Sequence, residues 1–207
     1  MKMRKIEAML FDLDGVLINS FECWYQAFNA MLRAYGKEEL SRAAFYATCW
    51  GHDMKHNLDA LHLAEEAGTY CIKEQMNLIA LIELFPGAKE VLRRVRTDYK
   101  LKIGLVSNTP KENVYRIFAH FHLFEYFDVI VTGDDVKRGK PDAEMVIAAC
   151  EMLNVTSRNV ILVGDTESDF LAAKSADCSV IGVGAKSTGD VHIEHLYELC
   201  SVLDRWV

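Results

Sequence analysis

The chain lacks several features that would assign it quickly. It has no Cys-x-x-Cys, and its six cysteines (23, 49, 71, 150, 178 and 200) are widely scattered. They read as reduced, mostly buried small hydrophobes in a cytoplasmic protein rather than as a disulfide framework. No apolar run is long enough to span a bilayer, since the stretch Leu78 to Leu84 is short and already carries Glu83. The basic start Met1-Lys2-Met3-Arg4-Lys5 leads into an apolar run that Glu7 interrupts and Asp12 closes, with no small-residue cleavage pattern, so it does not read as a signal peptide. Neither observation suggests a membrane partner. No basic cluster stands out beyond pairs such as Arg93-Arg94, and 23 basic against 30 acidic residues leave a net charge of -7. Nucleic acid is therefore a poor expectation as partner. Internal repeats and low-complexity segments are also missing.

What remains is ordinary globular composition, 51% hydrophobic and 26% charged over 207 residues, enough for one domain or a domain with an insertion. Short runs rich in Val, Ile and Leu recur at 6–11, 101–106, 128–132, 160–164 and 179–183. Each reads as a strand buried on both faces. Helical patterns lie between them, at about 87–98, 111–120, 142–152 and 167–176. Pro86 and Pro110 are placed where a first helical turn would begin. Strand alternating with helix predicts an α/β fold, a doubly wound, Rossmann-like parallel sheet. One stretch breaks the alternation: from Leu17 to Leu84 the periodicity is helical and no good strand is evident. Trp24, Ala27, Phe28, Met31 and Leu32 share one helix face, and Leu58, Leu61 and Leu63 lie on another. The expected division is a core of residues 1–16 and 84–207, with an all-helical insertion at 17–83.

The first strand ends in Phe11-Asp12-Leu13-Asp14-Gly15-Val16. Side chains alternate along a strand, so Asp12 and Asp14 can point the same way while Phe11 and Leu13 face the core. Two adjacent like charges repel, and a divalent cation would reward the arrangement, because hard cations take carboxylate oxygens. Asp and Gly also make solvated turns, and Asp-x-Asp-Gly alone reads either way. Three later segments bear on the choice: Ser107-Asn108-Thr109-Pro110 after a strand and before a helix, Lys140-Pro141-Asp142, and Gly164-Asp165-Thr166-Glu167-Ser168-Asp169. In an open parallel sheet ligands bind at the carboxyl ends of strands. Asp12, Asp14, Ser107, Asp165 and Asp169 would gather there, with Lys140 from a neighbouring loop.

Asp-x-Asp-Gly-Val, Ser-Asn, Lys-Pro-Asp and Gly-Asp-x-x-x-Asp, in this order, resemble the four motifs of the haloacid dehalogenase superfamily of phosphohydrolases. Phe85-Pro86-Gly87-Ala88 and Tyr126-Phe127-Asp128-Val129-Ile130 are similar to what its phosphoglycolate phosphatase-like branch, which carries a helical cap, shows outside those motifs. The resemblance covers the sheet well and the helical insertion loosely. It implies a phosphatase acting on a small phosphorylated metabolite through an aspartyl-phosphate. In that chemistry Asp12 is the nucleophile, already ionised and needing only orientation. Asp14 is the acid that protonates the leaving oxygen and then the base that activates water. Mg²⁺ is the implied cofactor, held by Asp12, the backbone carbonyl of Asp14 and Asp165, with Asp169 orienting the metal site or Lys140 from behind. Ser107, Asn108 and Lys140 would hold the phosphoryl group. The resemblance also implies that an acid at position 14 favours phosphate chemistry over halide displacement. Asn19 and Ala143 depart from residues common in relatives, outside the catalytic set.

The insertion carries the substrate question. Trp50-Gly51-His52-Asp53-Met54-Lys55 falls where a loop over the site would lie, with Gly51 supplying turn freedom. His52 or Lys55 could meet an anionic substrate tail, and a solvated helix start explains both residues equally well. His52 and His56 are four apart, yet no third ligand accompanies them for zinc. A pyrophosphatase or a phosphoglucomutase would use the same four motifs. A phosphorylated signalling module is the rival of another class, disfavoured by the insertion and the Asp-x-Asp-Gly pair. A catalytically dead binding relative is disfavoured by the intact motif positions. The expected partner is a small phosphate ester, acted on by a monomer or homodimer.

Overall fold

The computed structural model describes residues 5–185 and 187–206. Six strands form one parallel sheet: β1 (Ala8–Phe11), β4 (Lys102–Ser107), β5 (Val129–Thr132), β6 (Val160–Gly164), β7 (Ser179–Val183) and β8 (Val191–Ile193), in the order β5-β4-β1-β6-β7-β8. The chain fills one side of β1 with β4 and β5, then crosses to the other with β6. This reversal places a crevice at the carboxyl end of β1.

Period-two alternation divides each buried strand between two cores. Met9 and Phe11 of β1, Ile103 and Leu105 of β4, and Ile161 and Val163 of β6 face one layer. There they meet Val91, Leu92 and Val95 of α5 (Ala88–Thr97), Val114, Ile117 and Phe118 of α6 (Lys111–Phe121), and Leu199, Val202 and Leu203 of α9 (Leu199–Trp206). Ala8, Leu10, Val160 and Leu162 face the other layer. That layer is built from Met145, Val146, Ala149 and Leu153 of α7 (Glu144–Leu153) and Ala172 and Ala173 of α8 (Glu167–Ser175). The strands thus read as continuous apolar runs because both faces are covered.

Between the strands of a two-residue antiparallel ribbon, β2 (Ile18–Asn19) and β3 (Glu83–Leu84), the chain makes four helices. These are α1 (Phe21–Ala34), α2 (Arg42–Thr48), α3 (Met54–Leu61) and α4 (Glu65–Asn77). They have a core of their own, centred on Trp24, Ala27, Phe28, Met31, Leu32, Phe45, Leu58 and Cys71. Ser41 caps α2 and Asp53 caps α3, each accepting a backbone N–H from the first turn.

Two details differ from the sequence reading. The stretch 17–84 does contain strand, although only the ribbon that carries the helices in and out, too short for any alternation to show. Pro110 precedes α6 as its boundary residue, and Pro86 lies two residues before α5, so neither occupies the first helical turn. All six cysteines are free and buried. Among the described residues no helix is long and apolar enough to cross a membrane.

Candidate active site

The segments that leave β1, β4, β5 and β6 converge above β1. Asp12 directly follows β1, its backbone N–H still donating to the carbonyl of Val163 at 2.9 Å, which anchors the turn to β6. Ser107 closes β4, and Asp165 follows β6. Asp169 is set by the start of α8. Its Oδ2 accepts the Thr166 backbone N–H at 3.1 Å and the Thr166 hydroxyl at 2.6 Å, a reciprocal capping box. The other oxygen of Asp169 accepts from Lys140 Nζ at 2.6 Å, and Lys140 reaches Asp12 Oδ1 at 2.8 Å. Lys140 is buried, with its backbone held on both sides: its N–H donates to Asn108 Oδ1 at 2.8 Å and its carbonyl accepts from Asn108 Nδ2 at 2.9 Å.

The electrostatics of the cluster are unbalanced. Ligand atoms of Asp12, Asp165 and Asp169 all lie within 4.8 Å of one another, and one ammonium serves them. Burial works against charge on Lys140, but Asp12 and Asp169 outweigh it and hold the lysine above its usual range. Burial pushes the Asp12 carboxyl up to about 7; Lys140 opposes the rise, while Asp169 and Asp14 add to it. Asp165 is raised well above the usual carboxylate range, by burial first and then by Asp169 and Asp12. Its Oδ1 is buried without a hydrogen-bond partner, and its Oδ2 has only the long 3.4 Å contact from Trp50 Nε1. Unpaired buried acceptors beside further carboxylates suit a hard divalent cation. Gly15 makes room for that oxygen: with φ of +81°, a Cβ there would come within 2.2 Å of Asp165 Oδ2.

Asp14 is oriented differently. Its Oδ1 accepts from the Ser20 hydroxyl and from Trp24 Nε1 at 3.1 Å, and its Oδ2 accepts from the Thr109 hydroxyl at 2.6 Å. Its carboxylate is thus turned out of the metal-like trio and into a cleft between the sheet and the helices. Asp12, Ser107, Asn108 and Lys140 line the same cavity. Ser107 is buried, and its hydroxyl oxygen accepts the Thr109 backbone N–H at 3.2 Å.

The helices supply the opposite wall with Trp24, Phe28, Phe45, Cys49, Trp50, Gly51, His52, Met54 and Asn57. Gly51 meets the sheet side closely. Its carbonyl accepts from Asn108 Nδ2 at 3.2 Å, and at φ +83° a Cβ would lie 2.9 Å from Thr166 Cγ2. Of the sequence candidates, His52 and Gly51 therefore reach the cavity, whereas Lys55 is exposed on α3 and lies outside its lining. His52 and His56 stack ring on ring, with centroids 4.2 Å apart. Sequence reasoning missed Thr109 and Trp24 as partners of Asp14. Thr109 lies inside a motif whose signal is Ser107 and Asn108, and Trp24 has the spacing of a core residue.

The model of the haloacid dehalogenase-like hydrolase family matches residues 9–183. This chain is a haloacid dehalogenase-like hydrolase. The phosphorylated carbohydrates phosphatase of Thermotoga maritima is 31% identical over 178 residues, spanning 83% of this chain and 82% of that protein. Pyrophosphatase PpaX of Listeria innocua is 29% identical over 193 residues, 91% of this chain and 88% of the other. The fold is shared with CbbY of Rhodobacter sphaeroides, solved in complex with phosphate: TM-score 0.84 at 23% identity, over 94% of this chain and 96% of that one. The haloacid dehalogenase-like hydrolase described here stands on the phosphatase side of its family.

Proposed function

We propose that the chain is a Mg²⁺-dependent phosphatase that hydrolyses a small phosphate monoester through an aspartyl-phosphate on Asp12. The observation that carries the reading is the division of labour between the two carboxylates two residues apart. Asp12 faces Lys140 and the acidic trio, and Asp14 faces the cavity.

The donor set fits the cation: Asp12, Asp165 and the backbone carbonyl of Asp14 would hold Mg²⁺, with Asp169 behind, and the bound ion would offset charge on the phosphoryl oxygens. The remaining steps belong to the chain. Lys140 keeps Asp12 Oδ1 fixed at 2.8 Å, and the Leu13 backbone N–H, donating to the same oxygen at 2.7 Å, narrows its orientation further. An Asp12 oxygen attacks phosphorus as the bond from phosphorus to the alcohol oxygen breaks, and Asp14 passes its proton to that oxygen. Water then attacks the acyl-phosphate, its proton returns to Asp14, and the Asp12 oxygen–phosphorus bond breaks to release phosphate. Ser107 and Lys140 bind the phosphoryl oxygens throughout, which is the positioning on which phosphoryl transfer depends.

In this reading residues 17–83 act as a cap that shapes the alcohol side of the cavity. Phosphate release from a panel of small phosphate esters, with Mg²⁺ and with chelator, tests the proposal beside Asp12→Asn. Release that requires both Mg²⁺ and Asp12 is expected. A folded protein that releases phosphate from none of them, or an Asp12→Asn variant that turns over normally, overturns it.

A further inference from the structure

The backbone around Asp14 is fixed, but a fixed backbone does not fix its side chain. The Asp12 N–H donates to the Val163 carbonyl at 2.9 Å and the Gly15 N–H to the Ile18 carbonyl at 2.8 Å. Rotation about χ1 of Asp14 still offers several staggered positions. The surroundings favour the wrong one. Lys140 and the acidic trio are close enough for the charge of Asp14 to be felt at Asp12. An ammonium or a bound divalent cation attracts every carboxylate within reach. A carboxylate drawn that way would leave the leaving group without the acid that the proposed function assigns to it.

Three donors oppose this movement, and they come from both walls of the cavity. On the helical side Trp24 Nε1 donates to Asp14 Oδ1 at 3.1 Å, and the Ser20 hydroxyl donates to the same oxygen. Ser20 stands at the N-cap position of α1, where a serine ordinarily accepts a backbone N–H of the first turn. It makes no such cap, and its hydroxyl goes to Asp14 instead. Trp24 follows one helical turn later, its ring edge-on to Phe28 at 6.2 Å within the helical core, so packing aims its N–H. On the sheet side the Thr109 hydroxyl donates to Oδ2 at 2.6 Å. The Thr109 backbone N–H donates to the Ser107 hydroxyl oxygen at 3.2 Å, which ties the same residue to the expected phosphoryl-binding group. Trp24 and Thr109 are each 7% exposed, and both line the cavity beside Asp14. With one oxygen bound to each wall, the carboxylate cannot swing toward Lys140 without losing bonds to both.

We infer that Trp24 and Thr109 are positioning residues for Asp14, a clamp from the helices and the sheet that keeps its carboxylate on the leaving-group side of the cavity. The inference rests on the acid–base role given to Asp14 in the proposed function and adds the residues through which that role is set.

A clamp on an acid has a signature that a merely structural residue lacks. An alkyl alkoxide is strongly basic and needs a proton to leave, whereas 4-nitrophenolate leaves without one, so only the first kind of ester depends on a well-placed acid. The experiment compares kcat/KM, which reports the steps up to loss of the alcohol, for the Mg²⁺-loaded parent, Trp24→Phe, Thr109→Val and Asp14→Asn. The alkyl esters are butyl phosphate, glycerol 1-phosphate and glucose 6-phosphate, and the aryl ester is 4-nitrophenyl phosphate. Trp24→Phe removes the N–H and keeps a ring; Thr109→Val removes the hydroxyl and keeps the branched shape. Each is expected to lower kcat/KM on the best alkyl ester by about tenfold or more, part of the roughly 10²–10⁴ that a general acid supplies, and on the aryl ester by less than about threefold. Neither should lower it further when combined with Asp14→Asn, because residues acting through one group are not additive. Calorimetric titration of the single variants should show Mg²⁺ affinity within about threefold of the parent, which separates the clamp from the metal site.

Equal losses on the two kinds of ester, a loss that adds to that of Asp14→Asn, or Mg²⁺ binding weakened tenfold refutes the inference and leaves the phosphatase intact. Selective loss in one variant alone refutes the part given to the other residue. Thr109→Val, nearly isosteric, decides the sheet side of the clamp even if Trp24→Phe does not fold. Asp14→Asn with unchanged turnover of alkyl esters, or a parent that accepts the aryl ester alone, refutes the acid and the clamp with it. No release from any ester refutes the phosphatase reading itself.

Discussion

Asp12→Asn is expected to abolish turnover and yet stabilise the metal-free protein. In the folded state the Asp12 carboxyl is raised from its ordinary 3.8 to about 7, chiefly because it is buried beside other carboxylates that share one lysine. A group with a raised folded pKa gives up its proton more readily when unfolded. Above pH 4, then, the unfolded chain binds fewer protons than the folded one, and stability falls as pH rises from about 4 to about 7. At about 1.36 kcal/mol per pH unit the interval caps the loss at about 4 kcal/mol. Asparagine is nearly isosteric, keeps an oxygen for Lys140 Nζ and the Leu13 N–H, and carries no charge. It weakens the Lys140 contact, so the expected net gain at pH 7.5 is about 1–2 kcal/mol. For a chain of this length that corresponds to a rise in Tm of about 2–8 °C. The assay is thermal unfolding of both proteins in chelator at pH 5 to 8, repeated with Mg²⁺. The Asn variant should lead at pH 8, the lead should shrink toward pH 5, and Mg²⁺ should raise the unaltered protein more than the variant. A variant less stable than the parent at pH 8 in chelator, or a lead that grows on acidification, refutes the reasoning.

Two further substitutions probe the same cluster. Lys140→Met removes the ammonium that bridges Asp12 and Asp169, and kcat should fall by roughly 10²–10³, as for loss of one charge-stabilising donor at a reacting centre; steady-state kinetics on an accepted ester reads it, and a loss below threefold would remove Lys140 from the chemistry. Gly15→Ala places a methyl within 2.2 Å of Asp165 Oδ2 at a backbone angle that costs a non-glycine residue about 1–2 kcal/mol. Calorimetric titration should show Mg²⁺ binding weakened at least tenfold, and unchanged affinity would separate Asp165 from the metal site.

Most of the sheet and the phosphoryl side of the site was legible because each piece is local. The runs at 160–164 and 179–183 coincide with β6 and β7, and Asp12, Ser107 and Asp165 stand at strand ends that the apolar runs mark. Residues 191–206 gave no such signal, since Val191–Ile193 is three residues long and includes a histidine, and a short 3-10 turn, Leu196–Glu198, leads directly into α9. The partners of Asp14 were hidden for a different reason. Thr109 is 95 residues away, and Trp24, ten away, has the i, i+3, i+4 spacing of a core face, so its buried ring conceals the one N–H that reaches the carboxylate. On α3 the issue was helical phase. Asp53 caps the helix, Met54 begins it, and that start puts Asn57 and Leu58 inward and Lys55 outward. A reading of 50–55 as a loop does not set the phase, so it cannot separate His52, which reaches the cavity, from Lys55, which does not.

The two halves of the cavity therefore answer to different constraints. The phosphoryl half hangs on strand ends and a capping box: Asp12 is tied to Val163, and Asp169 is tied to Thr166. Its geometry is fixed by backbone hydrogen bonds and tolerates few residue types, which is why short motifs identify it. The alcohol half is made of side chains from α1, α2, α3 and the turn before α3, each held by packing within a separate apolar core. Packing constrains volume and polarity more than identity, so a chain can retain every motif residue while its alcohol wall changes from cationic to aromatic. The halves meet through hydrogen bonds that include Asn108 Nδ2 to the Gly51 carbonyl at 3.2 Å, Trp50 Nε1 to Asp165 at 3.4 Å and Trp24 Nε1 to Asp14 at 3.1 Å. Asn108 also holds the backbone of Lys140, Asp165 belongs to the acidic trio and Asp14 follows β1, so these contacts end on the residues to which the proposed function gives the phosphoryl chemistry. A leaving group that displaced the wall at Trp50 would thereby disturb the carboxylates that must be in place for phosphoryl transfer. In the proposed function, selection of the alcohol and assembly of the catalytic charge are thus coupled through α1 and through the loop of residues 50–52, whose glycine admits the contact with Thr166.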